Sequence, residues 1–163
     1  MIIINKSSYL KYKDFKFKCA LGKAGIGNKK REGDNITPKG NFKIVKIYYR
    51  KDRLKKLSSK FTLTEITKDM GWCDDPKNKK YNQIIKLPTN YSHENLYRKD
   101  NIYDLILVLN YNMKPTIKNK GSAIFIHVAK KNYKKTAGCI ALRKFDLICL
   151  VKKMKRNTRV IIN

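Results

Sequence analysis

Acidic residues are scarce in this chain, and so are arginine, histidine and long apolar runs; each shortage removes a class of function. Only 12 Asp and Glu stand against 39 Lys and Arg, so the formal net charge is +27 over 163 residues. A field of that sign draws in nucleic acid, anionic lipid or an acidic polymer over long range. Arginine supplies only seven of the basic residues, however, and lysine the other 32. Arginine alone offers the planar fork that reads phosphates and base edges in pairs. The lysines are also spread along the whole chain, and Ile, Asn and Tyr are abundant, as an A/T-rich coding sequence would produce. The charge therefore reads as a solvated basic surface, not as a specific nucleic-acid interface.

No CxxC pair occurs. Cys19, Cys73, Cys139 and Cys149 lie 54, 66 and 10 residues apart, which matches no zinc spacing, so no metal site is expected. With 42% hydrophobic residues the chain can fold by burial and needs no disulfide framework. No apolar run approaches a membrane span. The opening MIIINKSSYLKYK has too short an apolar run, with no basic stretch before it, to read as a signal peptide or anchor. No integral membrane segment is expected. Internal repeats are also missing, and the length fits one domain over residues 1–163, expected as a monomer.

What is present is mostly short strands. Phe15, Phe17 and Cys19 alternate with lysines as a half-buried strand should. Residues 22–40, with five glycines and Pro38, form a long turn-rich segment. Strands are expected at 41–49 and 61–67, a loop carrying Trp72 at 71–82, and one helical turn at 92–96 with Ser92 as its cap. YDLILVLNYN (103–112) is continuously apolar and reads as a core strand, followed by GSAIFIHVA (121–129) and a terminal strand in TRVIIN. Between the last two, residues 143–156 space Phe145, Ile148, Val151 and Met154 as the apolar stripe of an amphipathic helix. Its lysines fall near the C-terminal end, the favourable side of the helix dipole. Many strands with one good helix argue a mainly β domain with a C-terminal amphipathic helix.

One neighbourhood carries chemistry. His127 is one of two histidines and interrupts an apolar strand, where an unpaired imidazole would be costly. Cys139 follows twelve residues later in Thr136-Ala137-Gly138-Cys139. A nucleophilic thiol needs a base, oxyanion donors and room for the substrate backbone. His127 offers the base. Gly138 lacks a Cβ, so a carbonyl can approach the backbone N–H groups of Gly138 and Cys139. Cys139 also precedes the helix, whose dipole is expected to help a thiolate.

These residues resemble the active-site segment of the L,D-transpeptidase catalytic domain (the YkuD-like family), in which a His precedes a Ser/Thr-x-Gly-Cys motif. KKREGDNITPKGNF (29–42) resembles that family's upstream turn, and GWCDDPKNKKYN, SHENL and YDLILVLNYN resemble one branch of it in order and spacing. The resemblance covers roughly residues 15–162. It implies a β-sandwich or barrel and a cysteine acyl transferase acting on peptidoglycan stem peptides. Cys139 would be the nucleophile, His127 the general base and later acid, and Gly138 and Cys139 the oxyanion donors. Val128, through its carbonyl, and Thr136 would orient the site. No metal or organic cofactor is implied. The substrate implies the cell envelope, where acidic wall polymers would meet the basic surface, and carbapenems would be expected inhibitors. A carboxypeptidase acting on the same stems is the alternative within that chemistry; a non-enzymatic basic module binding an anionic polymer or nucleic acid is the alternative outside it. The chain departs from many members in having Ala137 in place of a second histidine and Ala141 in place of an arginine. Arg143 stands two residues too late to replace that arginine directly.

Weaker candidates remain. Trp72, Asp74 and Arg143 are candidates for the substrate cleft. Glu32 and Asp34 read as turn residues that bond local N–H groups, and His93 as exposed. Gly22, Gly25 and Gly27 give GxxGxG without a following helix, which argues against a nucleotide cradle.

Overall fold

A computed structural model describes residues 1–163. The chain forms fourteen strands and one α-helix. The strands are β1 (Ile2–Asn5), β2 (Tyr9–Tyr12), β3 (Phe15–Ala20), β4 (Ile26–Gly27), β5 (Thr37–Pro38), β6 (Gly40–Tyr49), β7 (Leu63–Glu65), β8 (Met70–Cys73), β9 (Ile84–Lys86), β10 (His93–Asn95), β11 (Leu105–Leu109), β12 (Phe125–Val128), β13 (Ile140–Leu142) and β14 (Arg159–Ile162). The helix α1 (Lys144–Lys153) lies between β13 and β14.

Nine strands make the main sheet in the order β11-β12-β13-β3-β2-β1-β14-β6-β7, and β11 also pairs with β6. That pairing closes the sheet on itself through β11 and β6, so β11 has a partner on both sides, and the short β7 is left as an edge on the later part of β6. The ten-residue β6 makes the closure possible: its first part pairs with β14 and its later part with β11. A separate sheet, β10-β8-β9, packs beside this barrel-like body.

Period-two alternation sorts the strands of the β11-β12-β13 edge into two faces. Leu105, Leu107, Leu109, Ile126, Val128, Ile140 and Leu142 enter the main core. Ile106, Val108 and Phe125 point the other way, into a smaller cluster with Trp72, Leu96 and Tyr103. Burial on both faces explains the continuously apolar β11.

Several expectations are corrected. Trp72 lies in β8, not in a loop, and residues 93–95 form a strand rather than a helical turn. The hydrogen bonds from Asp74 N–H to Ser92 and from Leu96 N–H to Met70 show what overrode the short capping signal: β8 was available as a partner. In α1 the buried positions are Leu147, Leu150 and Val151, with Met154 just beyond the end. Phe145 is 71% exposed. The stripe is rotated because Leu147 and Leu150 fill the core that the three-residue spacing assigned to Phe145 and Ile148. No helix is long and apolar enough to cross a membrane.

Candidate active site

The site is made by the parallel pairing of β12 with β13. Ile126 lies opposite Ile140, and His127 opposite Ala141. Alternation then places His127 and, at the entry to β13, Cys139 on the same outward face, one strand apart and two residues offset. With strands ~4.8 Å apart and a rise of ~3.3 Å per residue, the two positions lie about 8 Å apart on the diagonal, and at rest the side chains bond to Ala123 and Val128 rather than to each other. Both line a cleft of about 370 Å³ between this face, the Gly-rich turn and the β8–β10 sheet.

The thiol is not preformed as a thiolate. Cys139 is half-buried, and its Sγ–H donates to the Ala123 carbonyl at 3.0 Å while the sulfur accepts the Phe125 N–H at 3.4 Å. Burial pushes its pKa up to about 12, although the Phe125 N–H works in the opposite direction. The expected help from the helix dipole is corrected: β13 and Arg143 separate Cys139 from the first residue of α1, and a dipole acts within about one turn of the helix end.

His127 is 7% exposed, and its Nδ1 lies 2.9 Å from the Val128 carbonyl. A carbonyl can only accept, so Nδ1 carries the proton and Nε2 keeps its lone pair. Burial lowers the imidazole pKa to about 4 against the opposing effect of the Val128 bond, so the ring is neutral at neutral pH. Tyr103 packs edge-on against it, with ring centroids 5.5 Å apart.

Gly138 adopts φ +140°, and a Cβ there would lie 2.9 Å from the Ile36 carbonyl oxygen, so backbone crowding and conformation both require glycine. Its N–H donates to Thr136 Oγ1 at 3.1 Å, and that hydroxyl donates onward to the Cys139 carbonyl at 2.6 Å. The Thr136 hydroxyl thus fixes the turn around the thiol. It also occupies one of the two expected oxyanion donors at rest, leaving the Cys139 N–H without a backbone partner. Thr136 is itself tied to the Gly-rich turn: its N–H donates to Leu21 O and its carbonyl accepts from Lys23 N–H, both at 2.9 Å.

Asp74 lines the cleft; Trp72 and Arg143 do not. Trp72 is buried, donates Nε1–H to Asn82 Oδ1 at 3.1 Å and meets Phe125 edge-to-face, so it anchors the β8 sheet against β12. Arg143 is turned outward and paired with Asp146 at 3.0 Å. Asp34 accepts from Lys29 Nζ and from the N–H groups of Lys30, Arg31 and Ile36, as a turn residue would. Burial acts to raise its carboxyl, but those donors overcome it and hold the pKa at about 2. Glu32 accepts the Tyr81 hydroxyl, and half-buried His93 bonds the Tyr91 carbonyl. Tyr103, Glu94, Ser122 and Lys23 also line the cleft and were not singled out in the sequence. Glu94 was legible only if residues 93–95 had been read as a strand paired to Trp72.

Fold and site together define a closed, mainly β domain with a cysteine–histidine pair in a cleft. The model of the L,D-transpeptidase catalytic-domain family (YkuD) matches residues 1–162, and the chain belongs to that family, whose activity is directed at cell-wall peptidoglycan. No curated protein matches the chain.

Proposed function

We propose that the protein is a cysteine acyl transferase that cleaves the terminal D-alanine from tetrapeptide stems and passes the acyl group to an amine. The observation that carries this reading is the placement of Cys139 and a neutral, Nδ1-protonated His127 on one face of β12–β13, in one cleft. Cys139 Sγ attacks the carbonyl of the third-position diamino acid while its proton passes to His127 Nε2. The new C–S bond turns the carbonyl oxygen into an oxyanion, for which the Cys139 N–H is the available donor. The Gly138 N–H joins it if it leaves Thr136 as charge develops. Collapse breaks the C–N bond, and His127 returns the proton to the departing D-alanine amine. A second stem's amine then attacks the thioester, loses its proton to His127 and releases the thiol, leaving a 3→3 cross-link. Water or a free D-amino acid as acceptor would give hydrolysis or exchange through the same steps.

Because burial holds the thiol up and the imidazole down, the resting pair is uncharged, and proton transfer accompanies attack. A positioned acid–base group of this kind is worth ~10²–10⁴-fold in rate. Lys23, Lys130, Lys134 and Lys135 at the cleft suit the carboxylates of a stem peptide, and the substrate assigns the work to the cell envelope. Incubation with a carbapenem tests the reading: intact mass should rise by one adduct per chain, mapped to Cys139 and missing from Cys139→Ala. An adduct of equal yield in that variant would overturn it.

A further inference from the structure

Seven of the twelve acidic residues are in salt bridges. Of the five that are not, three line the cleft: Glu32, Asp74 and Glu94. Glu32 is engaged by the Tyr81 hydroxyl. Asp74 and Glu94 are different. Glu94 faces Trp72 across the β8–β10 ladder, and Asp74 lies two residues beyond Trp72, so the carboxylates are diagonal neighbours on one side. Glu94 receives only a long bond from the Tyr103 hydroxyl, at 3.4 Å. Asp74 Oδ1 is buried with no hydrogen-bond partner. In a chain of 39 basic residues, no side-chain ammonium or guanidinium forms a salt bridge with either one; Arg98, paired with Asp100, acts on Glu94 only from further off.

A second, independent group points the same way. Ser122 is 6% exposed, lines the same cleft, and its Oγ makes no well-formed hydrogen bond. The nearby Tyr81 hydroxyl is already committed to Glu32 and to the Gly121 N–H. A buried carboxylate oxygen and a buried hydroxyl left without partners are costly unless a ligand completes them. A pair of carboxylates with a neutral acceptor nearby suits a group with several N–H donors and a positive charge. Glu94 also exerts its charge on the Cys139 thiol, which puts this acidic floor close to the reacting atom.

We propose that Asp74 and Glu94 form a subsite for a primary ammonium group carried on the substrate side chain beside the attacked carbonyl, with Ser122 Oγ as a further acceptor. The subsite rests on the acyl-transfer reading and deepens it: a diamino residue at the attacked position is selected over a monoamino one, while the lysines take the carboxylates.

Charged thiol reagents test the subsite without requiring turnover. The rates at which aminoethyl, methyl and sulfonatoethyl methanethiosulfonates modify Cys139 are measured by peptide mass mapping. The overall charge of +27 favours the anionic reagent, whereas the subsite predicts that the cationic reagent is fastest at Cys139. The order should invert in Asp74→Asn/Glu94→Gln, a near-isosteric change whose folding is checked by circular dichroism and melting. An anion-first order in the unmodified protein, or a cation-first order surviving the double substitution, overturns the proposal. Protection of Cys139 by Ca²⁺ but not by pentylamine would make the pair a metal site and overturn it as well. On stem peptides, acetylating the side-chain amine should raise KM about 10- to 100-fold in the unmodified protein and hardly at all in the double variant. Failure of both peptides to turn over counts against the transferase reading, and the reagent order still decides the subsite.

Discussion

The two faces of β12 and β13 are built from the same few residues and do opposite work. The inner face, Ile126, Val128, Ile140 and Leu142, is apolar and between 0% and 4% exposed. The outer face, Phe125, His127, Cys139 and Ala141, is nearly as buried but carries the thiol and the imidazole of the proposed reaction. Burial on the inner side stabilises. On the outer side it sets chemistry, holding the imidazole near 4 and the thiol near 12 so that neither is charged at rest. Period-two alternation places a stability element and the proposed reactive pair one residue apart.

Substitutions on alternate residues should separate the two faces. On the proposed mechanism His127→Ala removes both the base and the acid for the leaving amine, so it should lower D-alanine release ~10²–10⁴-fold while leaving the fold intact. A loss of less than tenfold in steady-state assays would remove His127 from the chemistry. Its neighbour Ile126→Ala should do the reverse. Deleting a fully buried branched side chain costs about 2–5 kcal/mol of stability, read as a shifted urea midpoint. Turnover at low temperature should stay near that of the unmodified protein.

The pH effect reads the outer face through the same imidazole. The buried imidazole has a folded pKa of about 4 against an ordinary 6.5. Between those values the unfolded chain takes up a proton that the folded chain excludes. Stability is therefore full above about 6.5 and declines as pH falls toward 4. The activity of the folded protein, which needs neutral His127, should stay flat from neutral pH to about 5. His127→Phe should flatten that part of the stability profile; an activity inflection near 6.5 would show a solvated histidine instead.

The sequence carried the outer face well and its supports poorly. Hydrophobic periodicity and the isolated histidine marked a strand over 121–129, of which Phe125–Val128 forms one, and Thr136-Ala137-Gly138-Cys139 stood out as a motif, because alternation and motif are local signals. Local spacing misled where tertiary partners decided the outcome. Residues 93–95 became a strand because β8 lay alongside, and α1 turned Leu147 rather than Phe145 inward to meet the core. The strands β1 and β2 were not anticipated: β1 pairs with β14 at the far end of the chain, and β2, four residues long between β1 and β3, is too short to stand out by alternation. Glu94, Ser122 and Tyr103 reach the cleft through long-range packing that no spacing rule encodes.

The most direct measurement of the central claim is D-alanine release from a tetrapeptide stem by the unmodified protein, Cys139→Ser and Cys139→Ala, at matched folded concentration. Cys139→Ala should release none. Cys139→Ser should leave almost nothing, because an alcohol is far less acidic than a thiol and His127 is too weak a base to ionise it. Full release by Cys139→Ala would contradict the assignment of the nucleophile and, with it, the role given to the outer face of β12 and β13.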